Sequence, residues 1–203
     1  MNIAILGTGR VARTLAAALA QAHHEVVFGS RAPEAVDAAF PALDHAVAIG
    51  PADVVVSAVN GGAALDALTA IGPDVLAGKV LLDLGNAVTP AFALMYPNSS
   101  LGAQLQAALP RTEVVKTLNT VSAPVMVAPS SVADSTVFVS GDDEDAKATV
   151  KGLLGDLGWR TTAVLDLGDI ATARGPEHYF LLFAAIWRAT NEPLFNINIA
   201  RRA

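Results

Sequence analysis

The 203-residue sequence contains no cysteine, which excludes disulfides, thiol chemistry and cysteine-ligated metal sites. Basic residues are scarce, since 13 Lys and Arg are outnumbered by 19 Asp and Glu and the formal charge is −6. We expect no nucleic-acid partner, because phosphate backbones are bound by clustered Lys and Arg. The longest apolar segment, residues 179–187, is far below the roughly 18 residues that a membrane span needs, so we also predict no membrane association.

Apolar segments of strand length alternate along the chain with segments of helical periodicity. This alternation predicts an α/β fold: a doubly wound, Rossmann-type, mostly parallel sheet with a short C-terminal helix-plus-strand extension. A predicted strand begins at residue 2, so we expect no signal peptide and a cytoplasmic location. We predict strands at residues 2–6, 25–28, 45–49, 53–59, 79–84, 113–118, 135–140 and 160–165, and helices after residue 9, at 33–40, 101–109 and 144–157, and from 178 onward.

A glycine-rich turn directly follows the first predicted strand and opens a helix. Gly7 permits the tight turn, Gly9 lets the backbone approach a pyrophosphate, and Ala12 supplies the small residue needed for close packing of helix and strand. The N-terminus of the following helix offers unpaired N–H groups to phosphates. This pattern predicts a dinucleotide site at Gly7, Thr8, Gly9, Arg10 and Val11.

The second predicted strand ends in Gly29, Ser30 and Arg31, where an NAD-binding chain usually carries an acid for the ribose hydroxyl. A hydroxyl and a guanidinium can instead hold the 2′-phosphate of NADP through charge-assisted hydrogen bonds. We therefore predict NADP(H) as the cofactor. The alternative is that Arg31 is an ordinary surface charge in a turn before Pro33.

Ligands of doubly wound sheets lie beyond the carboxyl ends of the strands. The later strand ends carry small and amide side chains, which suit a flat nicotinamide ring. The glycine pair at residues 61–62 either leaves room for a second ring or is a loose turn. The further cofactor-binding residues that we predict are Ser57, Ala58, Val59 and Asn86, with Asn119 and Thr120 near the nicotinamide.

No signature of a nucleophile, a metalloprotease or a P-loop occurs in the sequence. The adjacent Asp142 and Asp143 are interpreted as complementing a helix N-terminus, so no metal site is predicted. Hydride transfer between two stacked redox rings needs mainly alignment, and we therefore predict no catalytic side chain. The four histidines are interpreted as surface or packing residues: His23, His24, His45 at the start of a predicted strand, and His178.

The sequence resembles the NADPH-dependent oxidoreductases of the deazaflavin coenzyme F420. The resemblance is carried by residues 2–11, 27–31, 53–59, 114–123, 139–143 and 194–199. It implies that residues 8–11 wrap the pyrophosphate, that Ser30 and Arg31 hold the 2′-phosphate, and that two subunits form a homodimer. It also implies an acceptor pocket lined by Asn119, Thr120, Val121 and Ala123.

The leading functional hypothesis is hydride transfer between NADP(H) and coenzyme F420 or a flavin such as FMN or FAD. Two alternatives stay open: a non-catalytic NADP(H)-binding or redox-sensing protein, and an NADPH reductase of ferric iron or of small imine or keto substrates. Reductases of the last kind normally add a substantial helical domain, and only about 35 residues follow the last predicted strand. We predict an NADP-binding Rossmann domain at residues 1–167 and a C-terminal helix and tail at 168–203.

The C-terminal segment is rich in aromatic residues, and its alternation at residues 195–199 predicts a short strand with one apolar face. The segment either packs on its own sheet edge or lies against a partner subunit. We predict a homodimer in which it helps to wall the acceptor pocket across the subunit boundary. Its aromatic residues are Tyr179, Phe180, Phe183, Trp187 and Phe195.

Overall fold

The computed structural model describes residues 1–36 and 39–199, in which eight strands form a single sheet of order β3-β2-β1-β4-β5-β6-β7-β8. Every neighbouring pair is parallel except β6 and β7, so the sheet is mostly parallel and the predicted Rossmann-type fold is confirmed. The strands are β1 (Asn2–Leu6), β2 (Glu25–Ser30), β3 (Ala42–Asp44), β4 (Val54–Ser57), β5 (Val80–Asp83), β6 (Glu113–Thr117), β7 (Val137–Gly141) and β8 (Val164–Asp166).

Helices cover both faces of the sheet, because alternate strand residues are apolar on both sides. In β1, for example, Ile3 and Ile5 lie in one core and Ala4 and Leu6 in the other. The first core also contains α1, α6 and α7, and the second contains α2, α3, α4 and α5. The helices are α1 (Arg10–Gln21), α2 (His45–Ile49), α3 (Gly61–Ile71), α4 (Pro73–Leu76), α5 (Leu101–Ala108), α6 (Ala123–Val127), α7 (Glu144–Asp156) and α8 (Arg174–Thr190).

None of the helices in the described ranges is long and apolar enough to cross a membrane.

The helix-capping role predicted for the acidic pair at residues 142–143 holds for Asp143, whose side chain accepts a hydrogen bond from the Ala146 N–H at 2.7 Å. Asp142 acts differently. Its side chain accepts a hydrogen bond from the N–H of Ile170 at 2.9 Å and so holds the segment that directly precedes α8.

The strand predicted at residues 45–49 is wrong, since these residues form α2 and the edge strand β3 lies just before them. The apolar residues at 47 and 49 imitate the alternation of a strand, but Val47 is exposed, and the buried neighbours Ala48 and Ile49 form one face of a short helix. The helix predicted at 33–40 is also too long. A single 3₁₀ turn at Pro33–Ala35 ends in extended backbone at Val36, and residues 37 and 38 lie outside the described ranges.

At the C-terminus, the predicted helix is confirmed and begins earlier, at Arg174. Residues 195–199 form no regular strand. They are held instead by Thr136, whose N–H donates to the Ile197 carbonyl at 2.9 Å and whose carbonyl accepts from the Asn196 side-chain amide at 3.1 Å. A side-chain amide therefore replaces a ladder bond, and the tail lies on its own chain at the start of β7.

A buried ion cluster links α8 to the sheet. The ammonium of Lys116, on β6, lies 2.8 Å from Asp83 Oδ2 and 2.9 Å from Glu177 Oε1, and all three side chains are buried. Burial acts to lower the pKa of Lys116, but the two carboxylates outweigh it and raise that pKa above its usual value. The second negative charge is stabilised at the N-terminus of α5, where the N–H groups of Leu101 and Gly102 donate to Glu177 at 2.7 and 3.0 Å.

Candidate functional site

Two adjoining cavities lie at the carboxyl ends of the central strands, around the switch point between β1 and β4. We call them the nucleotide groove, of about 560 Å³, and the ring pocket, of about 370 Å³. Ala58, Val59 and Asn60, which follow β4, line both cavities, so the two spaces form one continuous surface. This is the position at which sheets of this type bind dinucleotides.

The two glycines of the first turn have different reasons to be glycine. Gly7 has a positive φ of 108°, and a Cβ there would stand 2.8 Å from the Ala58 carbonyl oxygen, so the fold itself requires glycine. Gly9 has a φ of −76°, which any residue can adopt, and no described atom outside its chain neighbours lies within 4 Å of the position that a Cβ would take. Glycine at position 9 therefore relieves no backbone strain, and the absence of a side chain keeps the nucleotide groove open.

The N-terminus of α1 begins at the same turn. Gly9 provides no side-chain cap, and the first turn of α1 contains no acid, so its positive end is not neutralised by its own residues. The side chain of Arg13 donates to the Thr8 carbonyl at 2.9 Å and holds the turn in place. The arrangement has the chemistry of a phosphate site: free N–H groups, a positive helix end and space for the anion.

At the other end of the nucleotide groove lie Ser30, Arg31 and His45. The Ser30 hydroxyl oxygen accepts from the N–H of Ala32 at 3.1 Å, which leaves its proton available for a ligand. Arg31 is exposed, and His45 is half-buried beside it. Sequence reasoning missed His45 because it placed the residue at the start of a strand, whereas the start of α2 at His45 brings the imidazole to the groove.

In the ring pocket, Asn86 and Asn119 join the ends of β5 and β6. Asn86 Nδ2 donates to the Asn119 carbonyl at 2.7 Å, and Asn119 Nδ2 donates to Asn86 Oδ1 at 2.9 Å. These bonds fix both amide orientations. They leave Asn119 Oδ1 buried without a partner in the described part of the chain, as an acceptor for a ligand donor.

The turn that carries Asn119 is strained. Leu118 is buried and has a φ of 60°, a left-handed conformation that costs a non-glycine residue roughly 1–2 kcal/mol. The turn closes with a hydrogen bond from the N–H of Val121 to the Leu118 carbonyl at 3.3 Å. Strain of this kind concentrates at functional sites, because the surrounding structure must hold it in place.

Gly61 begins α3 and lines the ring pocket. A Cβ at this position would stand 2.2 Å from the carbonyl oxygen of Asn86, so the close approach of two backbones requires glycine here. The sequence suggested either a loose turn or room for a second ring at residues 61–62. The structure gives another reason for glycine at position 61, which is its contact with the Asn86 backbone.

Aromatic side chains of α8 form the remaining wall of the ring pocket. Phe180, Phe183 and Trp187 line it, and the rings of Phe180 and Phe183 stack at 6.0 Å with an interplanar angle of 11°. Phe195 of the tail stacks on Phe183 at 4.7 Å. The wall predicted to arise across a subunit boundary is therefore formed within one chain, and Glu177 anchors it one turn earlier on the same helix.

The structure brings most of the predicted site residues to the two cavities. Ser57 and Thr120 line neither, being fully buried, and their hydroxyl oxygens lack partners among the described residues. Those lining the nucleotide groove are Gly7, Thr8, Gly9, Ser30, Arg31, Ala58 and Val59, and those lining the ring pocket are Arg10, Val11, Ala58, Val59, Asn86, Asn119, Val121 and Ala123.

The fold is shared with known proteins. The family described as NADP oxidoreductase, coenzyme F420-dependent, matches residues 2–87. A crystal structure of a candidate F420-dependent NADP reductase from Arthrobacter sp. FB24 is 42% identical, with a TM-score of 0.93, and the alignment covers 99% of this chain and 100% of that one.

More distant relatives follow. Metalloreductase STEAP3 of Rattus norvegicus is 32% identical over 193 residues, which are 92% of this chain and 38% of that protein, so the chain spans less than half of this curated relative. A reductive aminase from Aspergillus terreus in complex with NADPH and ethyl-5-oxohexanoate is 22% identical with a TM-score of 0.68, over 94% of this chain and 65% of its own, and shares the fold.

The contrast between the two glycines generates a prediction. We expect Gly9→Val to abolish NADPH binding, because the side chain would occupy the open groove, while the free energy of unfolding changes by no more than about 1 kcal/mol. Calorimetric titration with NADPH and urea unfolding measure the two effects. Gly152→Val, at an exposed glycine of α7, is the matched control and should bind normally. A folded Gly9→Val protein with unchanged affinity would contradict the assigned turn.

Proposed function

The chain belongs to the coenzyme F420-dependent NADP oxidoreductase family, and we propose that it transfers a hydride between NADP(H) and a deazaflavin or flavin ring. The relatives make it an NADPH-dependent oxidoreductase, so the proposal concerns the acceptor: coenzyme F420, or FMN or FAD. The observation that carries it is the lining of the ring pocket. Arg10 is the one ionisable side chain among the described residues that line this pocket, and guanidinium does not release its proton in proteins.

A pocket of this composition suits transfer between two stacked rings. Bound NADPH would supply the hydride and leave as NADP⁺, and the oxidised ring would gain that hydride together with a proton from solvent. The chain's own part is alignment and exclusion of water. Ala58 and Val59 add small side chains to the pocket lining, which also contains the aromatic rings of Phe180 and Phe183 and two side-chain amides.

We assign the NADP(H) contacts by position along the two cavities. Ser30 and Arg31 would hold the 2′-phosphate, because they place a hydroxyl donor and a guanidinium at the far end of the nucleotide groove. The turn at residues 8–11 would hold the pyrophosphate at the N-terminus of α1. Asn86 would lie beside the nicotinamide, and the acceptor pocket would be completed by Asn119, Val121 and Ala123.

The pocket lining weighs against reduction of an imine or a keto group. Such a reaction needs a proton donor at the developing amine or alkoxide. No carboxyl, imidazole, phenol or ammonium group lines the ring pocket among the residues that the structure describes. The imine-reducing structural neighbours share the fold alone at 18–22% identity. A ferric chelate is the second candidate acceptor, because the rat metalloreductase is 32% identical over almost the whole of this chain.

A spectrophotometric screen decides among these acceptors. Purified protein with NADPH is offered coenzyme F420, FMN, FAD, riboflavin, ferric chelates and a cyclic imine, and the loss of nicotinamide absorbance is followed. We expect turnover with a deazaflavin or flavin, and none in Gly9→Val, which controls for contaminating reductases. Turnover with the imine alone, or with ferric chelates but no ring, would contradict the proposal.

The assignment of Arg31 predicts the cofactor preference. NADPH should bind much more tightly than NADH, and Arg31→Ala should reduce this preference by on the order of 1.5–3 kcal/mol, or about 10- to 150-fold, because a charged hydrogen bond is lost. Arg160→Ala is the matched control: it removes an exposed arginine paired with Asp134 and lies outside both cavities. Titration calorimetry with both nucleotides measures the effect, and equal affinities in the parent protein would refute the assignment.

We also propose that residues 168–203 form the dimer element of a homodimer. On the side of α8 away from the ring pocket, Leu181 and Leu182 are 39% and 55% exposed, and Leu194 of the tail is 44% exposed. Exposed apolar side chains that lie together in one patch are typical of association surfaces. A symmetric contact of this face with its own copy would bury them.

The dimer proposal is tested by light scattering at tens of micromolar protein. We expect the mass of a dimer, and the mass of a monomer for Leu182→Asp, because a buried carboxylate would lack a partner in the contact. Val47→Asp, at a 57% exposed apolar residue of α2, is the matched control and should stay dimeric. A parent protein of monomer mass would refute the proposal.

A further inference from the structure

His45 lies where β2 and β3 end side by side. The parallel register pairs Ser30 with Asp44, so the residues that follow, Arg31 and His45, leave the sheet as neighbours. The imidazole packs on the β2 backbone, since a Cβ added to Gly29 would stand 3.2 Å from His45 Cδ2. Three side chains of different chemistry therefore meet at one end of the nucleotide groove: a hydroxyl, a guanidinium and an imidazole.

The charges around this imidazole oppose its protonation in the free protein. Burial is the main cause that lowers the pKa of His45 below its usual value of 6.5, and the cation of Arg31, at the end of β2, lowers it further. The carboxylate of Asp44, the preceding residue, acts in the opposite direction and is outweighed. His45 is therefore neutral at neutral pH in the absence of ligand.

We propose that His45 is a third residue of the 2′-phosphate site and takes up a proton when NADPH binds. A phosphate ester brings up to two negative charges to Arg31, for which no ion pair is found within residues 1–36 and 39–199. The anion cancels the repulsion from Arg31 and adds an attraction of its own, so the imidazolium becomes the favoured form. This inference rests on the proposed placement of the 2′-phosphate at Ser30 and Arg31.

The sign of the linkage follows from the two states. The imidazole is mostly neutral in the free protein and mostly protonated in the complex, so binding takes up a proton in the interval between the two pKa values. NADPH affinity should therefore increase as the pH falls from about 8 to 6, by at most tenfold per pH unit for one proton. NADH, which lacks the phosphate, should show no such dependence. His45 thus adds a pH-dependent component to the preference for NADPH.

Titration calorimetry on the full chain tests the proposal. NADPH and NADH are each titrated at about pH 6, 7 and 8 in two buffers of different ionisation enthalpy, so that the protons taken up are counted directly. We expect proton uptake with NADPH in the parent protein, and less of it in His45→Asn, whose amide donates a hydrogen bond but does not titrate. His45→Arg should bind NADPH tightly over the whole range, because its charge is permanent. His23→Asn, at an exposed histidine before β2, is the matched control and should behave as the parent.

The variants separate this inference from its alternatives. The phosphate of NADPH itself titrates near this range, but Arg31 favours its dianion, so the phosphate would release protons on binding, and this release would persist in His45→Asn. Undiminished uptake in that variant, or equal pH dependence for NADPH and NADH, would overturn the role of His45. Failure of the hydride-transfer proposal has a different signature, since NADPH would then bind with the expected pH dependence and no ring acceptor would be reduced. If His45→Asn does not fold, proton uptake with NADPH in His45→Arg equal to that of the parent would refute the inference, because a guanidinium does not titrate in this range.

Discussion

The cluster of Lys116, Asp83 and Glu177 determines how the ring pocket is built. Two carboxylates and one ammonium are withdrawn from water, and their mutual attraction must repay that desolvation. Backbone N–H groups also stabilise the two carboxylates. Asp83 accepts from the N–H of Gly85 at 2.9 Å, and Glu177 accepts from two N–H groups at the start of α5. Removing one member of such a cluster typically costs about 3–5 kcal/mol, since it leaves a buried charge unpaired.

The ion cluster also explains why α8 can carry the aromatic wall. Glu177 fixes the first turns of α8 against the sheet and α5, and Phe180, Phe183 and Trp187 follow at helical spacing on the side that lines the ring pocket. A surface helix held by apolar contacts alone could slide. The charged and directional contacts of Glu177 set its position along the axis, and with it the distance between the aromatic rings and the ends of the strands.

The nucleotide groove is built on the opposite principle, with open space and positive charge at its surface. In a chain of net charge −6, the groove combines the positive end of α1 with the guanidinium of Arg31. The two cavities therefore suit the two ends of a dinucleotide, anionic at one and flat and nearly uncharged at the other. They meet at Ala58 and Val59, whose small side chains keep the passage clear.

Local pattern in the sequence was sufficient to predict the mostly parallel sheet and the glycine turn, and to place Ser30 and Arg31 at the end of β2. Short apolar runs and small residues at strand ends act over a few residues, so the sequence by itself determined the Rossmann-type fold and the glycine turn before α1. The position of His45 could not be read in this way, because five residues allow both alternation and a helical face, and only packing of Ala48 and Ile49 against the sheet decides between them.

The tertiary structure alone decided contacts between residues far apart in the chain. Lys116 and Glu177 are separated by 61 positions and join only because β6 and α8 meet at the same strand end. Gly61 is glycine because the backbone of Asn86 touches it, and residues 195–199 form no strand because the side chain of Asn196 takes the carbonyl of Thr136. Charge pairing, backbone approach and competition for a carbonyl depend on distance in space, and no local pattern in the sequence records that distance.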